Sequence, residues 1–118
     1  MPVSGRTTPI KMQPTGMAFR VRFREAAQTD LINLYTYIAK KSGRTRAGAY
    51  IDRIEAACKH LAHFPERGNR RDDIRPGLRV IGFERRVSIL FQVDAEGVEI
   101  GRILYGGRDL EALAIDFK

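Results

Sequence analysis

The chain has 118 residues, a length typical of one domain, and 43% of them are hydrophobic, without a run long enough to cross a bilayer. Its net charge is +7. Cys58 is the one cysteine, which excludes an internal disulfide and is typical of a reducing cytoplasm. No cluster of cysteine and histidine resembles a metal site, so the composition predicts a soluble, cytoplasmic, globular protein without metal or cofactor.

Arginine is strongly preferred over lysine, since 16 of the 21 basic residues are arginine. The planar guanidinium fork binds phosphate or carboxylate through two parallel hydrogen bonds. Clustered arginine therefore indicates an anionic partner. A genome rich in G and C, which favours arginine codons, would explain the same bias.

Residues 1–16 contain three prolines and three threonines and have no apolar periodicity. We predict that they form a disordered N-terminal extension, and that the domain spans residues 17–118. They lack the apolar centre of a signal peptide. The sequence leaves open whether translation starts at Met1, Met12 or Met17.

The first structured segment, "AFRVRFR" at 18–24, alternates strictly between apolar residues and arginine. This period of two predicts a strand with one buried face. Arginine on the other face predicts a protected sheet edge or a charged outer surface.

Two helices are predicted next, over residues 25–43 and 46–65. Apolar residues recur at helical spacing in both, at Ala27, Leu31, Leu34, Tyr35 and Ile38, and then at Ala47, Ile51, Ile54, Cys58 and Leu61. Gly43 is a natural end for the first helix and Pro65 for the second. The short connection makes the two helices an antiparallel hairpin.

A polar loop is predicted over residues 66–77, followed by three strands near 78–83, 86–94 and 98–105. Short turns between the strands make them antiparallel. Asp109 can cap a short final helix that holds Leu110 and Leu113. The order predicts an α+β fold, β-α-α-β-β-β(-α), with the helical hairpin packed on a curled antiparallel sheet.

Four segments give the chain a specific resemblance. They are "FRVRFREAAQTDLINLYTYIA" at 19–39, "LAHFPERG" at 61–68, "GLRVIGFERRVSILFQVD" at 77–94 and "VEIGRILYGGRDLEAL" at 98–113. In this order they resemble the RelE/ParE superfamily of bacterial type II toxins, and above all its ParE branch, also called plasmid stabilisation proteins. Tyr105 stands where the last motif usually has histidine.

The resemblance implies a partner and a target. Such toxins are neutralised by an acidic antitoxin whose disordered segment folds along the toxin surface, giving a hetero-oligomer. ParE-type members inhibit DNA gyrase by binding, whereas RelE-type members cleave messenger RNA on the ribosome. A third alternative is a non-toxic relic that binds only its antitoxin or RNA.

Catalytic chemistry has little support in the sequence. RNA cleavage needs groups that accept and donate protons, and positive charge on the phosphate. His60 and His63 lie in the second helix, far along the chain from the arginine-rich strands, and we predict no catalytic role for them. Tyr105 and Arg79 are the weak candidates that remain, so the sequence favours a binding toxin over an enzyme.

Five arginines are candidates for binding the antitoxin or the target: Arg79, Arg85, Arg86, Arg102 and Arg108. Arg102 lies between Ile100 and Leu104 on a strand face predicted to be apolar, where an unpaired charge is costly. It either pairs with an acidic residue such as Glu84 or Glu99, or lines the binding site. Arg108, beside Asp109, has the same two alternatives.

The last two strands carry apolar residues on both faces, with Val98, Ile100 and Leu104 on one face and Ile103 and Tyr105 on the other. One helical hairpin covers only one face. We therefore predict that a partner helix or strand, or a second copy of the chain, covers the remaining apolar surface.

Overall fold

The computed structural model describes residues 20–106, which form two helices packed on a five-stranded sheet. The elements are β1 (Arg20–Phe23), α1 (Glu25–Ser42), α2 (Arg44–His60), β2 (Asn69–Arg70), β3 (Arg79–Phe83), β4 (Val87–Asp94) and β5 (Gly97–Tyr105). The predicted extension at 1–16 and the final helix at 109–116 lie outside the described residues. Neither described helix combines the length and low charge that a bilayer-spanning segment needs.

The sheet has the order β1-β5-β4-β3-β2. The three strands β3, β4 and β5 form the predicted antiparallel meander. β1 pairs with β5 in parallel, so the sheet is mixed rather than wholly antiparallel. The α+β class and the helical hairpin are confirmed.

β1 is an edge strand, as its alternating arginines predicted. Arg22 holds this edge to the β4–β5 turn, because its guanidinium lies 2.9 Å from the Asp94 carboxylate and 3.4 Å from that of Glu96. Gly97, at the start of β5, has a φ of 138°, and a Cβ there would lie 2.2 Å from the backbone oxygen of Arg20. Only glycine permits so close an approach of β1.

The main core lies between the helical hairpin and the sheet. Ala27, Leu31 and Leu34 of α1 are buried there with Ile54 and Cys58 of α2, as their spacing predicted. The strands contribute Val87, Ile89, Phe91, Val98, Ile100 and Ile103. Burial raises the pKa of the Cys58 thiol to about 12, with Glu55 adding to the shift.

The second helix ends at His60, five residues before Pro65. The amides of Leu61, Ala62 and His63 bond to carbonyls three residues back, so the chain tightens into a short turn instead of continuing the helix. The predicted loop at 66–77 also contains β2, which pairs with β3 over two residues only. So short a polar strand has no periodicity to detect.

The predicted face alternation of β5 is wrong beyond Ile100. Phe91 pairs with Ile100 and Leu90 with Arg102, so Gly101 is an extra residue at a β-bulge. One extra residue moves all later side chains to the opposite face. Ile103 and Tyr105 consequently join the helix-side core, whereas Leu104 lies on the other face.

The second face of the sheet is covered by the chain itself in this region, which corrects the expectation that only a partner could cover it. Leu78, Leu90 and Leu104 are all buried there, and Ile74 and Val80 pack against them. Residues 71–78 fold back across the strands to make this second, smaller core. A partner is therefore not needed to cover Leu90 and Leu104.

Candidate functional site: a basic cleft at the end of the helical hairpin

A cleft of about 520 Å³ opens at the end of the helical hairpin. It lies between the last turns of α1, the first half of α2, the β3–β4 turn and the end of β5. Its charged and aromatic lining consists of Lys41, Arg46, Arg53, Glu84 and Arg86 with Tyr37, Tyr50 and Tyr105.

Helical spacing brings most of the lining together. Tyr37 and Lys41 are one turn apart on α1, with the lysine Nζ 5.3 Å from the centre of the tyrosine ring. Arg46, Tyr50 and Arg53 are spaced by four and three residues on α2 and therefore share one face. These side chains lie beside the apolar seams of the helices.

Glu84 is the one carboxylate among the residues that line the cleft, and Arg53 already pairs with it. The guanidinium donates to both carboxylate oxygens at 3.1 and 3.2 Å. The same guanidinium lies 5.2 Å from the centre of the Tyr50 ring. Lys41, Arg46 and Arg86 make no ion pair within residues 20–106, so the cleft has excess positive charge.

The β3–β4 turn at the mouth of the cleft has a costly backbone conformation. Glu84 and Arg85 have φ values of 51° and 64°, in the left-handed region that side-chain-bearing residues rarely adopt. The Arg86 amide donates to the Phe83 carbonyl at 3.2 Å, and the Arg86 carbonyl accepts from the Gly106 amide at 2.8 Å. These bonds and the Arg53–Glu84 pair fix the turn in place.

The tyrosines form the floor and one wall. The ring centroids of Tyr37 and Tyr105 lie 5.7 Å apart. Tyr50 packs edge-on against Phe83, with 5.9 Å between the ring centroids. The Tyr50 hydroxyl is buried and has no hydrogen-bond partner among the described residues. Burial, followed by the Glu84 charge, raises the pKa of Tyr50, so this phenol stays protonated at neutral pH and is a poor general base.

The second arginine site lies at the edge of β5. β1 ends at Phe23, and α1 then passes the open edge of β5. There Asp30 accepts hydrogen bonds from Arg102 Nε at 2.8 Å, from Arg102 Nη2 at 3.0 Å and from the Ile103 amide at 2.9 Å. Both side chains are nearly buried, with 12% of Arg102 and 10% of Asp30 exposed.

Comparison with known proteins decides the family. The model of the family described as "ParE toxin of type II toxin-antitoxin system, parDE" matches residues 21–110. The chain belongs to the ParE toxin family.

Two relatives support the assignment to the ParE family. "Toxin ParE3" of Caulobacter vibrioides is 35% identical over 83 residues, which are 70% of this chain and 82% of that protein. A solved structure titled "Chromosomal ParDE TA system from P. aeruginosa" has a TM-score of 0.68 at 24% identity, covering 77% of this chain and 99% of that one. The structural neighbour shows the ParE fold.

The structure separates the arginines that the sequence grouped together. Arg86 lines the cleft with Tyr105, and Arg85 lies beside it in the exposed turn. Arg79 lies apart from the cleft and donates to the carbonyls of Glu66 and Arg67 at 2.8 and 3.4 Å, which holds the loop after α2. Arg108 lies outside the described residues.

Arg102 follows the internal-pairing alternative, but its partner Asp30 was not among the expected acids. Glu84 pairs with Arg53 instead, and no ion pair joins Arg102 to Glu99 in the described part of the chain. Arg102 and Asp30 are 72 positions apart, and only the passage of α1 beside β5 brings them together. The other site predictions for these arginines remain untested.

His60 is the last residue of α2, and His63 lies in the turn that follows; their ring centroids are 6.3 Å apart. The ring centroid of Phe64 lies 5.0 Å from that of His60. Among residues 20–106, no group of three potential ligands could hold a metal ion.

Sequence reasoning missed most of the cleft, namely Tyr37, Lys41, Arg46, Tyr50 and Arg53. One signal was available, because tyrosines and cations recur at helical spacing beside both apolar seams. This spacing alone does not show that the two helical faces and the β3–β4 turn meet at one cleft.

Proposed function

We propose that this member of the ParE family acts by binding and inhibiting DNA gyrase, and that a cognate acidic antitoxin neutralises it. The family assignment over residues 21–110 supports a toxin of a type II toxin–antitoxin system. The structural neighbour, whose title names a ParDE system, supports an antitoxin partner. The protein works in the cytoplasm, where gyrase and DNA are found.

The observation that carries the proposal is the unneutralised charge around the cleft. Arg46, Arg85 and Arg86 make no ion pair within the described residues, although exposed arginines elsewhere pair with aspartates two residues away. Positive groups without internal partners attract an acidic chain and speed its association. Arg85 and Arg86 are the best-placed antitoxin contacts, whereas Arg79 and Arg102 already bind groups of their own chain.

The alternative function is RNA cleavage of the RelE type, and one observation favours it. Tyr105, Arg86 and Glu84 share a cleft, which provides a possible proton donor, a phosphate-binding cation and a carboxylate. One contact weakens this alternative. Arg53 donates hydrogen bonds to both oxygens of Glu84, so this carboxylate is already occupied by an ion pair.

The deciding experiment is induction of the chain in a sensitive bacterial strain, with a DNA-damage reporter and transcript mapping. We expect growth arrest with reporter induction and intact transcripts. Purified protein mixed with gyrase and plasmid should yield linear DNA after the gyrase is denatured and digested, because the inhibitor holds gyrase on cleaved DNA. Arrest with cleaved transcripts and no DNA damage would establish the RelE-type alternative, and unimpeded growth would establish a relic.

Antitoxin binding is tested with the protein of the adjacent open reading frame. Co-expression should restore growth, and the double variant Arg85→Ala/Arg86→Ala should bind that protein about 10-fold more weakly, mainly through slower association. Arg67→Ala is the matched control, since Arg67 is exposed near the opposite end of α2, away from the cleft. Equal losses in the two variants would exclude a specific role for the turn.

A further inference from the structure

Six cations line the cleft or lie beside its lining residues in the chain. This basic end consists of Lys40 and Lys41 of α1, Arg44 and Arg46 of α2, and Arg85 and Arg86 of the β3–β4 turn. None of the six forms an ion pair within the described residues. By contrast, Arg22, Arg70, Arg71 and Arg102, which do not line the cleft, are paired with carboxylates, and within the cleft Arg53 pairs with Glu84.

The local structure works against this concentration of charge. α2 has no acidic residue in its first turn and begins with arginine at positions 44 and 46, where the helix dipole disfavours cations. The β3–β4 turn presents Arg85, next to Arg86, from a backbone with positive φ at Glu84 and Arg85, a conformation that side-chain-bearing residues rarely adopt. A polyanion bound to this end would offset the repulsion among these cations.

Aromatic rings lie among these cations. Tyr37 is 46% exposed at the edge of the cleft, with Tyr105 on one side and Lys41 above its ring. Exposed rings beside cations form the usual surface for single-stranded nucleic acid, in which bases stack on the rings and phosphates meet the charges. Tyrosine rings beside cations therefore distinguish this site from a merely basic surface.

The interior of the cleft suits a nucleic acid better than the apolar face of a peptide helix. Its aliphatic lining is limited to Ile38, Ala49 and the stems of long side chains. The apolar groove of the hairpin lies elsewhere, along Phe23, Leu31, Ile32, Tyr35 and Ile51, and its charged lining residue is Glu55. A helix with a large apolar face would find its contacts in that groove and not in the cleft.

We propose that the basic end binds a short single-stranded segment of nucleic acid, with phosphates on Arg46, Arg86 and Lys41 and a base stacked on Tyr37. This activity goes beyond the proposed gyrase inhibition and does not require gyrase. If an acidic antitoxin covers Arg85 and Arg86, it competes with the nucleic acid for the same end of the molecule.

The test uses the purified full chain and a fluorescein-labelled single-stranded DNA of about 12 nucleotides, followed by anisotropy over a range of salt concentrations. We expect binding that weakens with salt, with a slope of log K against log salt of about −2 to −3, as three or four phosphate contacts would give. Arg46→Ala/Arg86→Ala should reduce the magnitude of that slope by about 1.4. Arg67→Ala should leave the slope unchanged.

Stacking is tested separately with Tyr37→Leu and with an abasic oligonucleotide of the same length. Each should weaken binding about 5- to 100-fold without changing the salt slope, because only base–ring contact is lost. RNA of the same sequence should bind comparably, since neither phosphate nor base contact depends on the 2′-hydroxyl.

Three results would overturn the proposal. The first is equal affinity for the abasic and normal oligonucleotides together with an unaffected Tyr37→Leu variant, which would show charge attraction alone. The second is competition by poly-glutamate as strong as that by an unlabelled oligonucleotide of the same charge, which would show that the bases contribute nothing and that the site accepts any polyanion. The third is an unchanged salt slope in Arg46→Ala/Arg86→Ala. The assay contains no gyrase, so its outcome is independent of the gyrase experiment.

Discussion

At the scale of single residues, the arginines differ mainly in what their guanidinium groups bind. Arg102 binds Asp30, Arg53 binds Glu84 and Arg79 binds loop carbonyls, so each holds two elements together. Arg85 and Arg86 make no ion pair in the part of the chain that the structure describes. Arginine therefore stabilises the fold at some positions and is available to a partner at others.

We expect Tyr50→Phe to raise the free energy of unfolding by about 1 kcal/mol, since a buried polar group without a hydrogen bond is destabilising. The Tyr50 hydroxyl is such a group among the described residues, and phenylalanine keeps the ring contact with Phe83. Urea denaturation measures the difference. Tyr35→Phe is a comparison on the other side of the hairpin, and a clear loss of stability in Tyr50→Phe alone would show that its hydroxyl is bonded.

At the scale of elements, the fold depends on how α1 leaves the sheet. β1 stops after four residues, and α1 then runs beside the open edge of β5. There the Asp30 carboxylate accepts a hydrogen bond from the Ile103 amide. A helix side chain here replaces the missing strand partner. The bulge at Gly101 is part of the same region, since it places Arg102 within reach of Asp30 and turns Ile103 into the core.

Loss of the Asp30 charge should destabilise the fold substantially. In Asp30→Asn the Arg102 guanidinium, only 12% exposed, loses the negative charge of Asp30, and we expect the free energy of unfolding to fall by about 2–4 kcal/mol. Chemical denaturation measures this change. The control is Glu84→Gln, which breaks an ion pair whose side chains are 52% and 44% exposed, and it should have a much smaller effect. Equal losses of unfolding free energy in the two variants would mean that burial of the Asp30–Arg102 pair does not increase its contribution to stability.

At the scale of the whole molecule, the sheet is covered on both faces by its own chain where the core strands run. The helical hairpin covers one face, and residues 71–78 cover Leu90 and Leu104 on the other. Surfaces open to partners in the described residues include the basic cleft and the apolar groove around Ile32, which is 65% exposed. Recognition by this chain does not require an unfinished core.

The stability of the whole fold should fall at both extremes of pH. Hydrogen bonds from the Gly77 and Glu96 amides lower the pKa values of Asp72 and Asp94, and the Arg71 guanidinium lowers that of Asp73. Because these pKa values are lower in the folded state, their stabilisation is present above about pH 4 and is lost as the pH falls below it. Cys58 has the opposite sign: its pKa rises from 9.0 to about 12 on folding, so its stabilisation is lost between these values as the pH increases.

Urea denaturation from about pH 2 to pH 12 measures both limits. Asp94→Asn should flatten the acid side of the profile, and Cys58→Ala should flatten the alkaline side. If Cys58→Ala loses as much stability at alkaline pH as the unchanged protein, that loss arises from other groups, such as Tyr50, whose pKa is also raised by burial.

Local patterns in the sequence determined the elements of this protein. The alternation of Val21 and Phe23 with arginine, the apolar seams of both helices and the alternation in β4 each predict a face turned to the core. Val87, Ile89 and Phe91 are buried in the main core, and Val21 and Phe23 pack against it partly buried, whereas Val93, predicted on the same face of β4, is 38% exposed. These patterns are reliable because hydrophobic burial acts on each element through its own period. The order and spacing of the four motifs were also sufficient by themselves to indicate the ParE family.

Only the tertiary structure decided which residues meet. The Asp30–Arg102 pair joins side chains 72 positions apart, and the cleft combines Tyr37, Tyr50 and Arg86 from three separate elements. One added residue at Gly101 reversed the predicted faces of β5, and an apparently plain loop supplied the cover for Leu90 and Leu104. Such contacts depend on the paths of whole elements and on a single bulge. Neither produces a periodic pattern of apolar residues in the sequence.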